Sequence, residues 1–256
     1  MQRCYIKPEN WDGDTLALDA TEQHHLLHVL RLPVNTAILA FDGQGREAET
    51  RLQYDDIEHA FYLAVVRMHA EQSTKTATQW ILVPAIIKGA RMDHLIEKAT
   101  ELGAHRIIPI QTTRCVVRLD PQQATKKVER WKRIAINAAK QCGTPQLPAM
   151  DPVTDLTGAL QTLQQNKIAV LQGSLQGSPP PIARVAREKI ANQVPAIAIL
   201  TGPEGDFSPE EYDQAAAAGC IPVSLGKLTL RAETATIYAL SVLQALYQEK
   251  ADMLKS

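Results

Sequence analysis

The stretch that most constrains this chain runs from Ala196 to Ser208, AIAILTGPEGDFS. Its first five residues are apolar and read as a buried strand. The residues that follow it read as the start of a helix. Ser208 caps, Pro209 suits the first helical position, and Glu211 completes a capping box. Two glycines and a proline, Gly202, Pro203 and Gly205, therefore fall in a strand-to-helix loop. In open α/β sheets that edge is where ligands bind. An ordinary tight turn has the same spacing, so spacing alone leaves both readings open.

The 256 residues suffice for one large domain or two ordinary ones, and a hydrophobic content of 45% supports a sizeable core. No run approaches the roughly 18 apolar residues of a membrane span. The first residues, MQRCYIKPENWDGD, lack the apolar core of a signal peptide. Cys4, Cys115, Cys142 and Cys220 are scattered and form no CxxC pair. This pattern points to a reducing cytoplasm and argues against structural zinc, and neither a membrane nor a metal is expected as a partner. The net charge of −1 conceals an uneven distribution: residues 1–72 carry 6 Lys+Arg against 12 Asp+Glu, and residues 73–140 carry 13 against 5. A basic middle third suits a polyanion, and it equally suits solvated faces of two helices.

Residues 1–72 read as mostly β. Strands are expected at Thr36 to Asp42, Glu47 to Gln53 and Ala60 to Met68, the first two joined through Gly43-Gln44-Gly45. One helix, Thr21 to Arg31, interrupts them, with Arg31 at its end. The set suggests a small barrel. His24 and His28 share a helical face, but no third ligand stands at a familiar metal spacing, which favours structural or RNA-facing histidines. The polar stretch Glu71 to Thr78 reads as a linker.

Strands and helices then alternate. Strands are expected at Trp80 to Ile87, Arg106 to Ile110, Ile168 to Leu171, Ala196 to Leu200 and Ile221 to Leu225. Helices are expected at Arg91 to Leu102, Asp120 to Cys142, Thr157 to Gln164, Ala183 to Ile190, Pro209 to Ala218 and Arg231 to Gln248. Ala235, Tyr238, Ala239, Val242, Leu243 and Leu246 are the expected buried stripe of the last helix. Five strands with helices between them imply a parallel sheet covered on both faces.

The phosphate loop GxxxxGK[ST], the dinucleotide fingerprint, the GxSxG elbow and HExxH are all missing from the sequence. Two loops stand out instead, LTGPEGDFS and Leu225 to Thr234, LGKLTLRAET. Each leaves a strand and enters a helix, and together they would wrap a small flat ligand. Arg231 opens an otherwise apolar helix, as a site residue or as one half of a surface ion pair.

These two loops, with EKATELGAHRIIPI (Glu97 to Ile110), AAKQCG (Ala138 to Gly143) and HVLRL (His28 to Leu32), resemble the RsmE family. That family comprises bacterial 16S ribosomal RNA (uracil-N3) methyltransferases of the SPOUT class. The resemblance runs in order over nearly the whole chain. It implies an α/β SPOUT-type knotted parallel sheet with helices on both faces, residues 73–256, with a C-terminal trefoil knot. A small PUA-like β-barrel that helps hold RNA, residues 1–72, would precede it.

The implied reaction is S-adenosylmethionine-dependent methylation of N3 of a uridine in 16S rRNA of the small subunit, by a cytoplasmic homodimer. Leu200, Thr201, Gly202, Pro203, Glu204 and Gly205 match the first cofactor loop. Leu225, Gly226, Leu230, Arg231 and Thr234 match the second. Arg231 is the expected cation beside the uracil, and Glu204 either takes the proton or holds its loop. Arg31, Lys88, Arg91, Lys98, Arg114 and Arg118 are the RNA-contact candidates. The family usually carries Gly at Asp206, a different text at Lys227, Leu228, Thr229 and Ala232, and Arg at Thr144. The departures at Asp206 and Lys227 motivate one alternative, an RNA-binding assembly factor without turnover; a SPOUT enzyme acting on another RNA is a second.

Overall fold

The computed structural model describes residues 1–69 and 78–253. The expected linker, Glu71 to Thr78, lies outside the described residues except for Thr78. The chain forms two compact units, Met1–Lys75 with Ile136–Leu147, and Thr76–Ala135 with Pro148–Ser256.

In the first unit the described strands are β1 (Gln2–Tyr5), β2 (Trp11–Asp12), β3 (Thr15–Ala17), β4 (Ala37–Phe41), β5 (Glu47–Asp55) and β6 (Ala60–Met68), with helix α1 (Ala20–His24) after β3. They form one sheet in the order β1-β4-β5-β6-β3-β2, in which β1 and β4 are parallel and the other pairs antiparallel. Alternation in β5 buries Ala48, Thr50 and Leu52 on one face, as a half-buried strand requires. Cys4, Ile6, Leu16, Leu26, Ile38 and Leu63 join that core.

The helix expected over Thr21 to Arg31 is shorter and changes character. After α1 the turn widens over His25–Val29, and the Leu30 amide donates to the His25 carbonyl five residues back. Arg31 does not end the helix. It lies beyond Leu30 at φ 52, while the Leu32 amide reaches back to the Leu26 carbonyl. The wide turn ends the helix early and places Arg31 in the left-handed region, costing about 1 kcal/mol. The His24 and His28 rings lie 5.1 Å apart. Glu22, almost fully buried, accepts from both Lys140 and the Cys4 thiol. Thr144 serves its own turn: its hydroxyl accepts from the Gln146 amide and its carbonyl accepts from Arg3.

The second unit contains β7 (Gln79–Pro84), α2 (Ala90–Glu101), β8 (Arg106–Ile107), β9 (Ile110–Gln111), β10 (Ala149–Met150), β11 (Thr154–Asp155), α4 (Leu156–Gln165), β12 (Ala169–Gly173), α5 (Ile182–Ala191), β13 (Ala196–Thr201), α6 (Pro209–Ala217), β14 (Ile221–Val223) and α7 (Ala232–Met253); helix α3 (Pro121–Cys142), between β9 and β10, belongs to it up to Ala135 and to the first unit from Ile136. Among the described residues six strands, not five, form its main sheet, in the order β10-β8-β7-β13-β12-β14 and all parallel. The sixth is β10, too short to show a period in the sequence. The run expected as one strand over Arg106 to Ile110 divides. β8 pairs with β7, whereas β9 pairs with β11 in a separate ladder. Pro109 sits at the break, where it has no N–H to give a ladder.

β13 is buried along its whole length and lies between β7 and β12. That burial on both faces explains its continuous apolar text. α7 packs on α2 and α5, and α4 packs on α6. The expected buried stripe of α7 needs correction. Tyr238 is exposed and Val242 and Leu246 are half-buried, whereas Glu233, Thr236, Ala239, Leu240 and Leu243 are buried. Thr236 can be buried because it finds partners: its hydroxyl lies 2.7 Å from that of Thr201 and donates to the Ala232 carbonyl, whereas Glu233 is buried with its Oε2 unpartnered among the described residues.

Candidate functional site

The strand order itself creates the site. After β12 the chain runs through α5 to β13 on one side, then through α6 to β14 on the other side of β12. This reversal opens a crevice at the carboxyl ends of the strands. A cavity of about 290 Å³ lies there, walled by the loops after β12, β13 and β14 and by the first turn of α7.

The β13 loop contributes Thr201, Gly202, Pro203, Glu204 and Asp206, and the β14 loop contributes Leu225, Gly226 and Leu228 to Arg231. The β12 loop contributes Gly173, Ser174 and Leu175, and α7 contributes Ala232 and Ala235. Sequence reasoning missed the β12 loop. Its signal was present in Gly173-Ser174 directly after an apolar strand, the pattern of the opening loop. Leu200, Gly205 and Thr234 do not line the cavity. Leu200 is fully buried within β13, Gly205 packs on Arg114, and Thr234 is exposed in α7.

Each loop is held by identifiable contacts. The capping box at Ser208 is complete, with the Glu211 amide donating to Ser208 Oγ and the Ser208 amide donating to Glu211 Oε2. Glu211 Oε1 also accepts from the Thr113 amide at 2.7 Å. One buried carboxylate therefore ties the cavity loop to the segment after β9. Glu211→Ala leaves the Ser208 cap on the residue-211 amide in place but strands the Ser208 and Thr113 amides, and it is expected to cost about 2–3 kcal/mol. A urea titration checks this by a lower midpoint at unchanged slope.

A side chain at Gly202 is crowded: a Cβ there would lie 3.3 Å from the Phe207 ring and 3.4 Å from Asp206 Oδ1. Gly226 adopts φ 120, where a side chain is strained. Asp206 adopts φ 61, a conformation that a glycine would hold without strain. Asp tolerates the left-handed region better than most residues. Its amide donates to the Pro203 carbonyl, and both carboxylate oxygens accept from the Tyr212 hydroxyl at 3.0 Å. That hydroxyl also lies 3.4 Å from the Leu175 amide in the β12 loop. Burial pushes the Tyr212 phenol up, so it stays protonated and donates.

The charged candidates fall into different settings. Arg231 is exposed at the cavity wall, and its side chain has no hydrogen bond or ion pair among the described residues. Its carbonyl accepts the Ala235 amide, fixing it just before α7. Glu204 pairs with Arg91 at 2.6 Å and accepts from the Lys88 amide. It thereby fastens the β13 loop to the start of α2. Arg114 donates to the Gly205 and Phe207 carbonyls, and Arg118 to the Thr113 carbonyl. Lys98 pairs with Glu97 and Glu101. Lys88 is exposed, as is Arg31 in the first unit.

The donor set suits a ligand with a flat apolar part and polar ends. Leu175, Pro203, Leu225 and Leu230 supply apolar walls, and the glycines expose backbone groups.

Comparison with known proteins agrees with this geometry. A family model described as an RNA methyltransferase domain matches residues 74–244. The Bacillus subtilis ribosomal RNA small subunit methyltransferase E is 30% identical, covering 95% of this chain and 96% of its own. The Synechocystis protein of the same name is 32% identical, over 96% of this chain and 78% of its own. The crystal structure of the Neisseria gonorrhoeae protein of that name, bound to S-adenosyl methionine, superposes with a TM-score of 0.83 at 32% identity, covering 96% of this chain and 98% of that one. With the match extending over both units and the cavity loops alike, this chain belongs to the ribosomal RNA small subunit methyltransferase E family.

Proposed function

We propose that the chain uses S-adenosylmethionine to methylate N3 of a uridine in the 16S ribosomal RNA of the small subunit. The observation that carries this reading is the three-loop cavity at the strand-order reversal, in a chain of this family. Three features fit the cofactor. Glycines at 173, 202 and 226 leave backbone exposed, leucines offer an apolar slot for a purine, and Ser174 and Thr229 provide hydroxyls at the wall. When bound, S-adenosylmethionine supplies a methyl group already activated by its sulfonium.

The protein's task is then mainly alignment. Arg231, unpaired among the described residues, stands at the wall to meet the negative charge that develops on the uracil carbonyl oxygens as N3 loses its proton. Glu204 is already engaged by Arg91 and the Lys88 amide, which supports the role of holding the loop. The loops after β12, β13 and β14 limit water around the reacting atoms. Lys88 and Arg31, both exposed, are the freest of the proposed RNA contacts. Arg91, Lys98, Arg114 and Arg118 would reach phosphate only by sharing their present partners.

The proposal extends to the larger organisation. Residues 1–72 act as a PUA-like RNA-holding domain, supported by the strand-rich first unit. Residues 73–256 act as a SPOUT domain with a trefoil knot, supported by the parallel sheet and the family. The working form is a homodimer. Incubating the purified protein with radiolabelled S-adenosylmethionine and small subunits lacking the modification tests the reaction. Label in 16S rRNA as 3-methyluridine is expected. RNA binding without transfer would favour an assembly factor, and label in a different RNA would reassign the substrate.

A further inference from the structure

Two carboxylates stand in the cavity wall, and they differ in their partners. Glu204 is neutralised by Arg91. Asp206 meets no cation among the described residues, and both its oxygens accept only from the Tyr212 hydroxyl. Asp206 lines the cavity, and its Oδ1 lies 3.4 Å from where a Cβ on Gly202 would stand. It is also held in place, by a left-handed backbone at φ 61, by the turn closed onto Pro203, and by a phenol packed edge-on against Phe207. The opposing charge in the wall is Arg231.

We infer that Asp206 gives the cavity a preference for a cationic occupant, so that it distinguishes the sulfonium cofactor from its demethylated product. The inference rests on the cofactor reading above. S-adenosylmethionine carries one more positive charge than S-adenosylhomocysteine and is otherwise nearly the same shape. Apolar walls and backbone donors hold the two almost equally, so an unneutralised carboxylate is the group able to separate them. Its attraction favours exchange of spent product for fresh cofactor. Tyr212 acts as a positioning residue, keeping the carboxylate against Gly202 and reaching the β12 loop at the Leu175 amide.

Calorimetric titration of both ligands into the full-length protein and three variants tests this. Asp206→Asn keeps the hydrogen bond to Tyr212 and removes the charge. Asp206→Gly removes the charge in a residue that adopts φ 61 freely. Both are expected to lower the affinity ratio of S-adenosylmethionine over S-adenosylhomocysteine by about fivefold, a magnitude suited to a half-exposed charge pair. Tyr212→Phe retains the charge and is expected to keep a ratio above that of Asp206→Asn. An unchanged ratio in both Asp206 variants, with both ligands still bound, would overturn the inference and leave the cofactor reading standing. A Tyr212→Phe ratio well below that of Asp206→Asn would also overturn it, because the hydroxyl and not the charge would then discriminate. Wild-type protein that binds neither ligand would remove the cofactor reading and this inference with it.

Discussion

Arg231→Ala is expected to lower the rate of methyl transfer by about 10²–10³-fold while leaving S-adenosylmethionine affinity and melting temperature near wild type. The expectation follows from what Arg231 does not touch. Its side chain is exposed and unpaired among the described residues, so its loss strands no buried group. Only its backbone carbonyl serves the fold, by accepting the Ala235 amide, and alanine retains that bond. Its guanidinium lines the cavity wall unpaired among the described residues, and in the proposed reaction it meets the negative charge that appears on the uracil. A uniform-binding role would instead raise KM at constant kcat. Single-turnover methylation with a parallel thermal melt separates these outcomes, and a wild-type rate in the variant would remove the assigned role.

Gly202→Val is expected to abolish detectable cofactor binding, a loss of at least about 10² in affinity, at a modest cost in stability. Even a bare Cβ at this position sits 3.3 Å from Phe207, a fully packed ring, and 3.4 Å from Asp206 Oδ1. Two further methyl groups must then point into the cavity or displace the ring. The β13 strand, the capping box and the Thr201–Thr236 hydroxyl pair do not depend on the Cβ of residue 202, so the fold is expected to persist. Calorimetric titration with S-adenosylmethionine, beside circular dichroism of the same sample, measures both. Binding at wild-type affinity would show that the ligand does not approach Gly202.

The elements that could be read from the sequence are those whose signal is local. β13 announced itself as an apolar run, and Ser208, Pro209 and Glu211 spelled out a helix start that the structure reproduces bond for bond. α2 and α3 carried clear periodicity and begin and end within a residue of expectation. The illegible parts depend on partners far along the chain. β1, β10 and β11 have two to four residues each, too few to show a period, and exist because neighbouring strands receive them, while the strand read over Arg106 to Ile110 is there but broken into β8 and β9. The stripe of α7 was misread because Thr236 is buried by virtue of a hydroxyl partner 35 positions away. The same limit applied within the site. Glu204 and Arg231 were identified as chemistry-bearing, but only the fold shows that Arg91 occupies the first and that nothing described occupies the second. Gly173-Ser174 became part of the cavity because β12 lies between β13 and β14, an order that no local text encodes.

The central claim is that this three-loop cavity methylates a uridine of 16S rRNA at N3. The most direct test is mass-spectrometric mapping of 16S rRNA from cells with and without the gene. One 3-methyluridine is predicted to disappear on deletion, to return with the wild-type gene, and to stay absent or nearly so with Arg231→Ala. An unchanged 3-methyluridine content in the deletion strain would contradict the account.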